Sequence, residues 1–226
     1  MYGNNDFKKY ATSNLGIPTT TMDAYGKHMD QGNLTPYILE ERKLNVTQMD
    51  VFSRMLGDRI IWVSGEVNDT MSSIVSAQLM YLDSVGDTDI TLQISSPGGS
   101  VTAGLTMVDI MNYVSSDIMT VNIGMAASMG SILLGNGTKG KRFILPNART
   151  MLHKVSSGTQ GQIDNMEVAW LETKKYNEKL FNLLGEYCGK DPKQVLDDCR
   201  LDFWLNADES VAYGIADKIM VNKIKG

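Results

Sequence analysis

The stretch Ile118-Met119-Thr120-Val121-Asn122-Ile123-Gly124-Met125-Ala126-Ala127-Ser128-Met129-Gly130, continued by Ser131-Ile132-Leu133-Leu134, decides how the chain is read. Residues 118–123 alternate as a strand does, and the apolar run from Ser131 reads as the start of a helix. The small residues between them then form a strand-to-helix turn. A serine set among alanines and glycines has little bulk around it, so the Ser128 hydroxyl is expected exposed at the helix N-terminus, where backbone N–H groups and the dipole favour negative charge. Such a turn presents a nucleophile. The same residues would also suit a close helix-packing site, and the stretch alone does not separate the two.

Outward from it, strands and helices alternate. Val51–Leu56 reads as a short helix and Arg59–Val63 as a buried strand. Asn68-Asp69-Thr70 supplies N-cap chemistry for a helix to about Leu82, and Asp89–Ile94 alternates as a strand. The turn Ser95-Ser96-Pro97-Gly98-Gly99-Ser100 opens a helix carrying Val101, Leu105, Val108 and Met111. Beyond the central stretch, Arg142–Leu145 and Thr150–His153 read as short strands. A long helix is expected from about Gln162 to Leu184, with Ile163, Met166, Trp170, Thr173 and Leu180 near one face that packs on a partner along one stripe. Asp191-Pro192 starts a short helix, Asp202–Leu205 extends, and Ala207–Tyr213 is helical until Gly214 stops it. This alternation argues an α/β fold with largely parallel strands.

Residues 1–33 are polar, punctuated and without apolar periodicity, so they read as a flexible arm or a removable pro-segment ahead of a domain spanning 34–226. His28 lies in that arm and reads as solvated. The length of 226 residues suits one domain with extensions or two small ones, and 42% hydrophobic with 21% charged residues is ordinary for a globular protein. The net charge of −5 argues mildly against a nucleic-acid partner. No apolar run approaches membrane-spanning length, and no apolar segment follows a basic start, so a cytoplasmic protein without a membrane partner is expected. Cys188 and Cys199 have no metal-ligand pattern and read as free thiols. The 15 methionines read as flexible core filler.

A serine needs a base to take its proton, and His153 is the one histidine in the expected core. If the chain is a serine hydrolase, that assignment is forced; many carboxylates could orient the imidazole, and spacing does not choose among them. Gly98-Gly99 lets backbone N–H groups approach a ligand closely, which suits an oxyanion. No Gly-Lys-Ser/Thr follows, so the turn is not a phosphate loop, and no cofactor or metal is expected.

Taken together, Ser95–Ser100, Gly124–Gly130, Gly140-Lys141-Arg142-Phe143, Met151-Leu152-His153 and Asp202-Phe203-Trp204-Leu205-Asn206-Ala207 resemble the proteolytic subunit of the Clp protease, ClpP, as does Leu34-Thr35-Pro36 with Ile38–Glu41. The resemblance runs from about Leu34 to Ile224. It implies a ClpP/crotonase-type fold of repeated strand-helix units with a protruding long helix. It also implies a serine endopeptidase with Ser128 as nucleophile, His153 as base and Asp202 as orienting acid, and an oxyanion hole from the N–H groups of Gly99 and Met129. The implied assembly is a homo-oligomer of two stacked seven-membered rings, in which unfolded protein is hydrolysed inside a chamber fed by an ATP-driven unfoldase, with the pro-segment cut near Asn33.

Three departures stand out. Lys154-Val155-Ser156-Ser157-Gly158 replaces the usual Gln-Pro and glycine pair along which substrates align, and Leu201 replaces a ring-bridging arginine. Thr91 and Gln93 stand where two tyrosines usually line the unfoldase-docking pocket, so docking to a typical unfoldase is expected to be weak. The competing readings are a non-catalytic ring subunit and, in the crotonase direction, an acyl-CoA enzyme, which would leave Ser128 and His153 without a purpose.

Overall fold

A computed structural model describes residues 37–42 and 45–221, so the expected arm over residues 1–33, its cleavage point and His28 lie outside the described residues. The chain divides into two compact units, the first ending at Arg54 and the second beginning at Met55. In the first, β1 (Tyr37–Arg42) and β2 (Asn45–Asp50) form an antiparallel hairpin in which Tyr37 faces Asp50 and Arg42 faces Asn45. The short helix α1 (Val51–Gly57) follows.

The second unit is built from strand–helix crossovers. Strand β3 (Ile60–Ser64) leads to α2 (Asp69–Val85), β4 (Ile90–Ser96) to α3 (Val101–Tyr113), and β5 (Ile118–Ala127) to α4 (Met129–Gly135). The side chains of Asn68 and Ser100 cap α2 and α3 by accepting from the backbone N–H of Met71 and Ala103. Then come β6 (Arg142–Ile144), β7 (Arg149–Leu152), α5 (Ile163–Cys188), α6 (Pro192–Asp198), β8 (Phe203–Leu205), α7 (Ala207–Tyr213) and β9 (Lys218–Ile219). The sheet runs β3-β4-β5-β6-β9, with β7 paired to β5 and β8 to β7. Every pairing is parallel except β7–β8, as the expected α/β alternation requires. The core joins Leu92 and Ile94 of β4 to Leu79 of α2, Met107 of α3 and Leu133 of α4.

Most boundaries shift by a few residues from the sequence reading, and two shifts around the central stretch shape the site. Strand β5 does not stop at Ile123: after a register shift opposite Ile94–Ser96 it continues to Ala127, because Met125, Ala126 and Ala127 pair with Arg149, Thr150 and Met151. Helix α4 begins at Met129 rather than Ser131, so the whole turn is compressed into Ser128.

Helix α5 also departs from expectation. Its C-terminal part buries Leu180, Phe181 and Leu184, but Ile163 is 82% and Trp170 55% exposed. The expected apolar stripe is therefore left open over its N-terminal half.

Two arginines tie the ends of elements together. Arg59, at φ 61°, donates to the carbonyls of Leu82, Gly86, Thr88 and Asp89 and to Ser116 Oγ, holding the loop between α2 and β4. Arg142, 4% exposed, makes a two-point contact with Asp217 and donates to the carbonyls of Gly135 and Tyr187. That links β6, β9 and the ends of α4 and α5. Burial alone would raise the Asp217 pKa, but the hydrogen bonds and charge of Arg142, with the Gly140 N–H, outweigh it and hold the carboxyl below its ordinary range.

Candidate active site

Ser128 occupies one strained residue between β5 and α4, at φ 54° and ψ −122°. L residues rarely adopt positive φ, and the conformation is held from both sides. The Ser128 N–H donates to the Met151 carbonyl at 2.9 Å, and its carbonyl accepts from Ser131 N at 3.0 Å and Ser131 Oγ at 2.6 Å. Space for the turn comes from Gly98, where an added Cβ would stand 2.5 Å from Ser128 Cβ. Met129 is seated likewise: its side chain lies where a Cβ on Gly104 would be.

His153 and Asp202 reach Ser128 through sheet pairing. Strand β7 runs parallel beside β5 with Met151 next to Ala127, so His153, one residue past β7, stands beside the turn. Strand β8 lies antiparallel to β7 with Phe203 facing Leu152. One step further along that register, Asp202 comes opposite His153. The result is Ser128 Oγ 2.8 Å from His153 Nε2, and His153 Nδ1 3.6 Å from Asp202 Oδ1. A proton on Nδ1 suits both neighbours, because Nε2 then accepts from the serine hydroxyl while Nδ1–H faces a carboxylate. The 3.6 Å separation is longer than a hydrogen bond.

Gly99 and Met129 stand beside this line. Gly98 and Ser100 bond Val67 on either side, through Val67 N to Gly98 O and Ser100 N to Val67 O, both at 2.8 Å. In a parallel bridge of this kind the intervening residue turns its own N–H away from the partner. A methyl group on Gly99 would collide with the Val67 backbone. Met129 is the first residue of α4, so its N–H has no partner within the helix. Both residues line a cleft of about 250 Å³ that Ser128 and His153 also line, with apolar walls from Val101, Ile132, Val155, Leu180 and Leu184.

The five residues singled out in the sequence are thus brought together. Three contributors had roles that were not legible there. Leu180 and Leu184 wall the cleft from α5, more than 50 residues after Ser128 in the chain, and no local pattern marks an apolar helix residue as a cleft wall. Gly104 is the third, a helix-interior glycine that makes room for Met129. Cys188 and Cys199 are free thiols, with burial pushing them up to about 11 and about 12 respectively. Among the described residues no helix is long and apolar enough to cross a membrane.

The family model described as Clp protease matches residues 42–223. A protein of Porphyromonas gingivalis called ATP-dependent Clp protease proteolytic subunit is 44% identical over 217 residues, covering 96% of this chain and 97% of the relative. One of the same name from Bacteroides fragilis is 45% identical over 219 residues, covering 96% and 99%. Another, from Streptococcus pyogenes, is 43% identical over 192 residues, covering 84% and 98%.

Proposed function

The chain belongs to the Clp protease family, and from that premise we propose that Ser128, His153 and Asp202 are its catalytic triad and the Gly99 and Met129 N–H groups its oxyanion hole. It is a serine endopeptidase subunit of the ATP-dependent Clp type. The observation that carries the residue assignment is the 2.8 Å contact between Ser128 Oγ and His153 Nε2, with Asp202 behind the far ring nitrogen.

In this reading Ser128 Oγ attacks the scissile carbonyl carbon as its proton passes to His153 Nε2, and the carbonyl oxygen takes up negative charge between the two N–H groups. The C–N bond then breaks, His153 returns the proton to the departing amine, and an acyl group stays on Ser128. Water attacks that ester with His153 again as base, releasing the carboxyl product and restoring the hydroxyl. Asp202 holds the imidazole in place and stabilises its cation. An aliphatic substrate side chain fits the apolar cleft walls, and the peptide aligns along Lys154–Gly158. The acyl-CoA reading leaves the Ser128–His153 contact unused.

The test is covalent labelling. A fluorophosphonate should phosphonylate Ser128 in the folded protein, read as a mass increment on the Ser128 peptide. A folded sample that hydrolyses peptides while that peptide stays unmodified would remove the assignment.

The working form is proposed to be a homo-oligomer of two seven-membered rings acting on unfolded protein in the cytoplasm, with residues 1–33 removed as a pro-segment. Support for assembly comes from apolar residues left exposed on α2 (Ile74, Met80, Tyr81) and α5 (Ile163, Trp170, Leu171).

An unfoldase partner follows from the family, but its docking surface is altered. Thr91 and Gln93 lie half-buried in β4 beside Ile60 and Trp62 of β3 and Met119 and Val121 of β5. They set two polar side chains within an otherwise apolar strip. An aliphatic loop that buries apolar area gains roughly 25 cal/mol per Å², and polar groups desolvated without partners subtract from it. Binding to a typical Clp unfoldase hexamer should therefore be weak, and the Thr91→Tyr/Gln93→Tyr pair should tighten it by more than about tenfold through the repeated ring contact. Interferometry decides the matter; tight docking by the unmodified chain would refute it.

A further inference from the structure

Asp202 owes its position to its backbone. Its side chain is 62% exposed, and among the described residues its one partner is His153, at 3.6 Å. The arch that carries it, Asp198 to Phe203, is anchored at its ends by the Cys199 and Arg200 N–H bonds back into α6 and by the β8 pairing of Phe203, while Leu201 in its middle is 84% exposed and Arg200 is also exposed. Cys199 alone within the arch is buried.

Beyond the pairing of Phe203 with Leu152 and the place of Asp198 at the end of α6, both feet of this arch also touch one residue, Tyr213, the last of α7. Its hydroxyl donates to Asp198 Oδ2 at 2.8 Å, at the first residue of the arch. Its ring meets Phe203, immediately after Asp202, edge-on with centroids 5.1 Å apart and planes at 63°, the favoured geometry for an aromatic pair. Lys190 Nζ lies 4.7 Å from the centre of the same ring, and Gly214, at φ 94°, ends the helix directly behind it. We propose that Tyr213 is a positioning residue for the reaction, holding Asp202 opposite His153 Nδ1, where its carboxylate can orient the imidazole. The proposal rests on the assignment of Asp202 as the orienting acid.

The chemistry of the contact suits a permanent brace. Burial first, and the Asp198 carboxylate second, push the Tyr213 phenol well above its ordinary value, so it remains a donor across the neutral range. Asp198 Oδ1 is meanwhile held by Gln194 Nε2 at 2.8 Å, which leaves Oδ2 turned to the tyrosine. Loss of the hydroxyl removes the Tyr213 hold on Asp198 Oδ2 while the ring keeps its contact with Phe203, so Tyr213→Phe weakens the setting of Asp202 with little loss of packing.

The test is a double-mutant cycle on the full chain, with peptide hydrolysis and the rate of fluorophosphonate acylation as readouts. Tyr213→Phe should lower kcat on the order of tenfold with KM changed less than about twofold, because a small misplacement of a catalytic group costs rate rather than binding. Asp198→Ala, which removes the acceptor instead, should give the same loss, and combining the two should add little. In an Asp202→Asn background Tyr213→Phe should change the acylation rate by less than about twofold, since the group it positions has lost its function. A merely structural tyrosine would cost the same factor in both backgrounds. Parental kcat in Tyr213→Phe, or equal losses with and without Asp202, overturns the proposal while leaving the triad standing. Parental kcat in Asp202→Asn overturns the triad assignment and the proposal together.

Discussion

Ser128→Ala is expected to abolish peptide hydrolysis. Members of a triad act as a unit, and removing the nucleophile costs on the order of a million-fold in kcat. The substitution removes the Oγ that sits 2.8 Å from His153 Nε2 and leaves the backbone bonds to Met151 and Ser131 N in place. Folding and assembly should therefore be unchanged by size-exclusion chromatography, and the comparison with the parent isolates chemistry. If residues 1–33 are removed by the protein's own activity, the same variant should retain them in an intact-mass measurement. Activity within about tenfold of the parent would end the assignment, because that factor corresponds to only about 1.4 kcal/mol of barrier.

Arg142→Met is expected to have the largest effect on stability. Asp217, at 18% side-chain exposure, is opposed by a guanidinium that is itself 4% exposed, and removing one partner of a buried pair costs about 3–5 kcal/mol. The carbonyls of Gly135 and Tyr187 lose their donor as well, so the ends of α4 and α5 are released together. Urea denaturation of the parent and variant measures the cost, and Arg142→Met/Asp217→Asn should recover much of it by removing the stranded charge. The dependence on pH gives a second check. Asp217 is held below its unfolded value near 3.9, so its contribution is present above about pH 4 and is lost as pH falls through the lower folded value. In the variant the guanidinium's hydrogen bonds and charge no longer oppose burial, so the same group titrates higher than it does in the parent. The stability gap between parent and variant should narrow as pH falls below about 4, through the lowered folded value of Asp217. A gap independent of pH would show that the carboxylate of Asp217 is not the seat of the effect.

The central stretch shows where local information suffices. The alternation of Ile118–Ile123 and the apolar run after Ser131 depend on which side chains face a core, and that periodicity is written in the residues themselves. The same holds for the caps at Asn68 and Ser100 and for the stop at Gly214, each a local bargain between a side chain or a glycine and neighbouring backbone groups. The α/β class followed from that alternation, and the family from the order of five motifs.

Exact boundaries were not local. Gly124–Ala127 lacks the bulk that advertises a strand, and becomes one because β7 supplies partners for its backbone groups. Nor was the open stripe of α5 foreseeable in detail: its spacing predicts a face, and the rest of the chain decides how much of that face is covered.

For the candidate site, the residue types came from the sequence: a serine at a small-residue turn, the one histidine of the expected core, and a glycine pair before a helix. The carboxylate did not come from chemistry or spacing, since many acids competed, and only the resemblance pointed to Asp202. What physically brings Asp202 to His153 is the antiparallel register of β7 and β8, which sets residue 202 opposite residue 153. The strained φ of Ser128, the aliphatic cleft wall from α5 and the brace from Tyr213 likewise exist only once distant elements pack. Side-chain identity and periodicity are properties of neighbours along the chain, whereas a catalytic distance is set by how strands pair and helices dock, and that was decided by the tertiary structure alone.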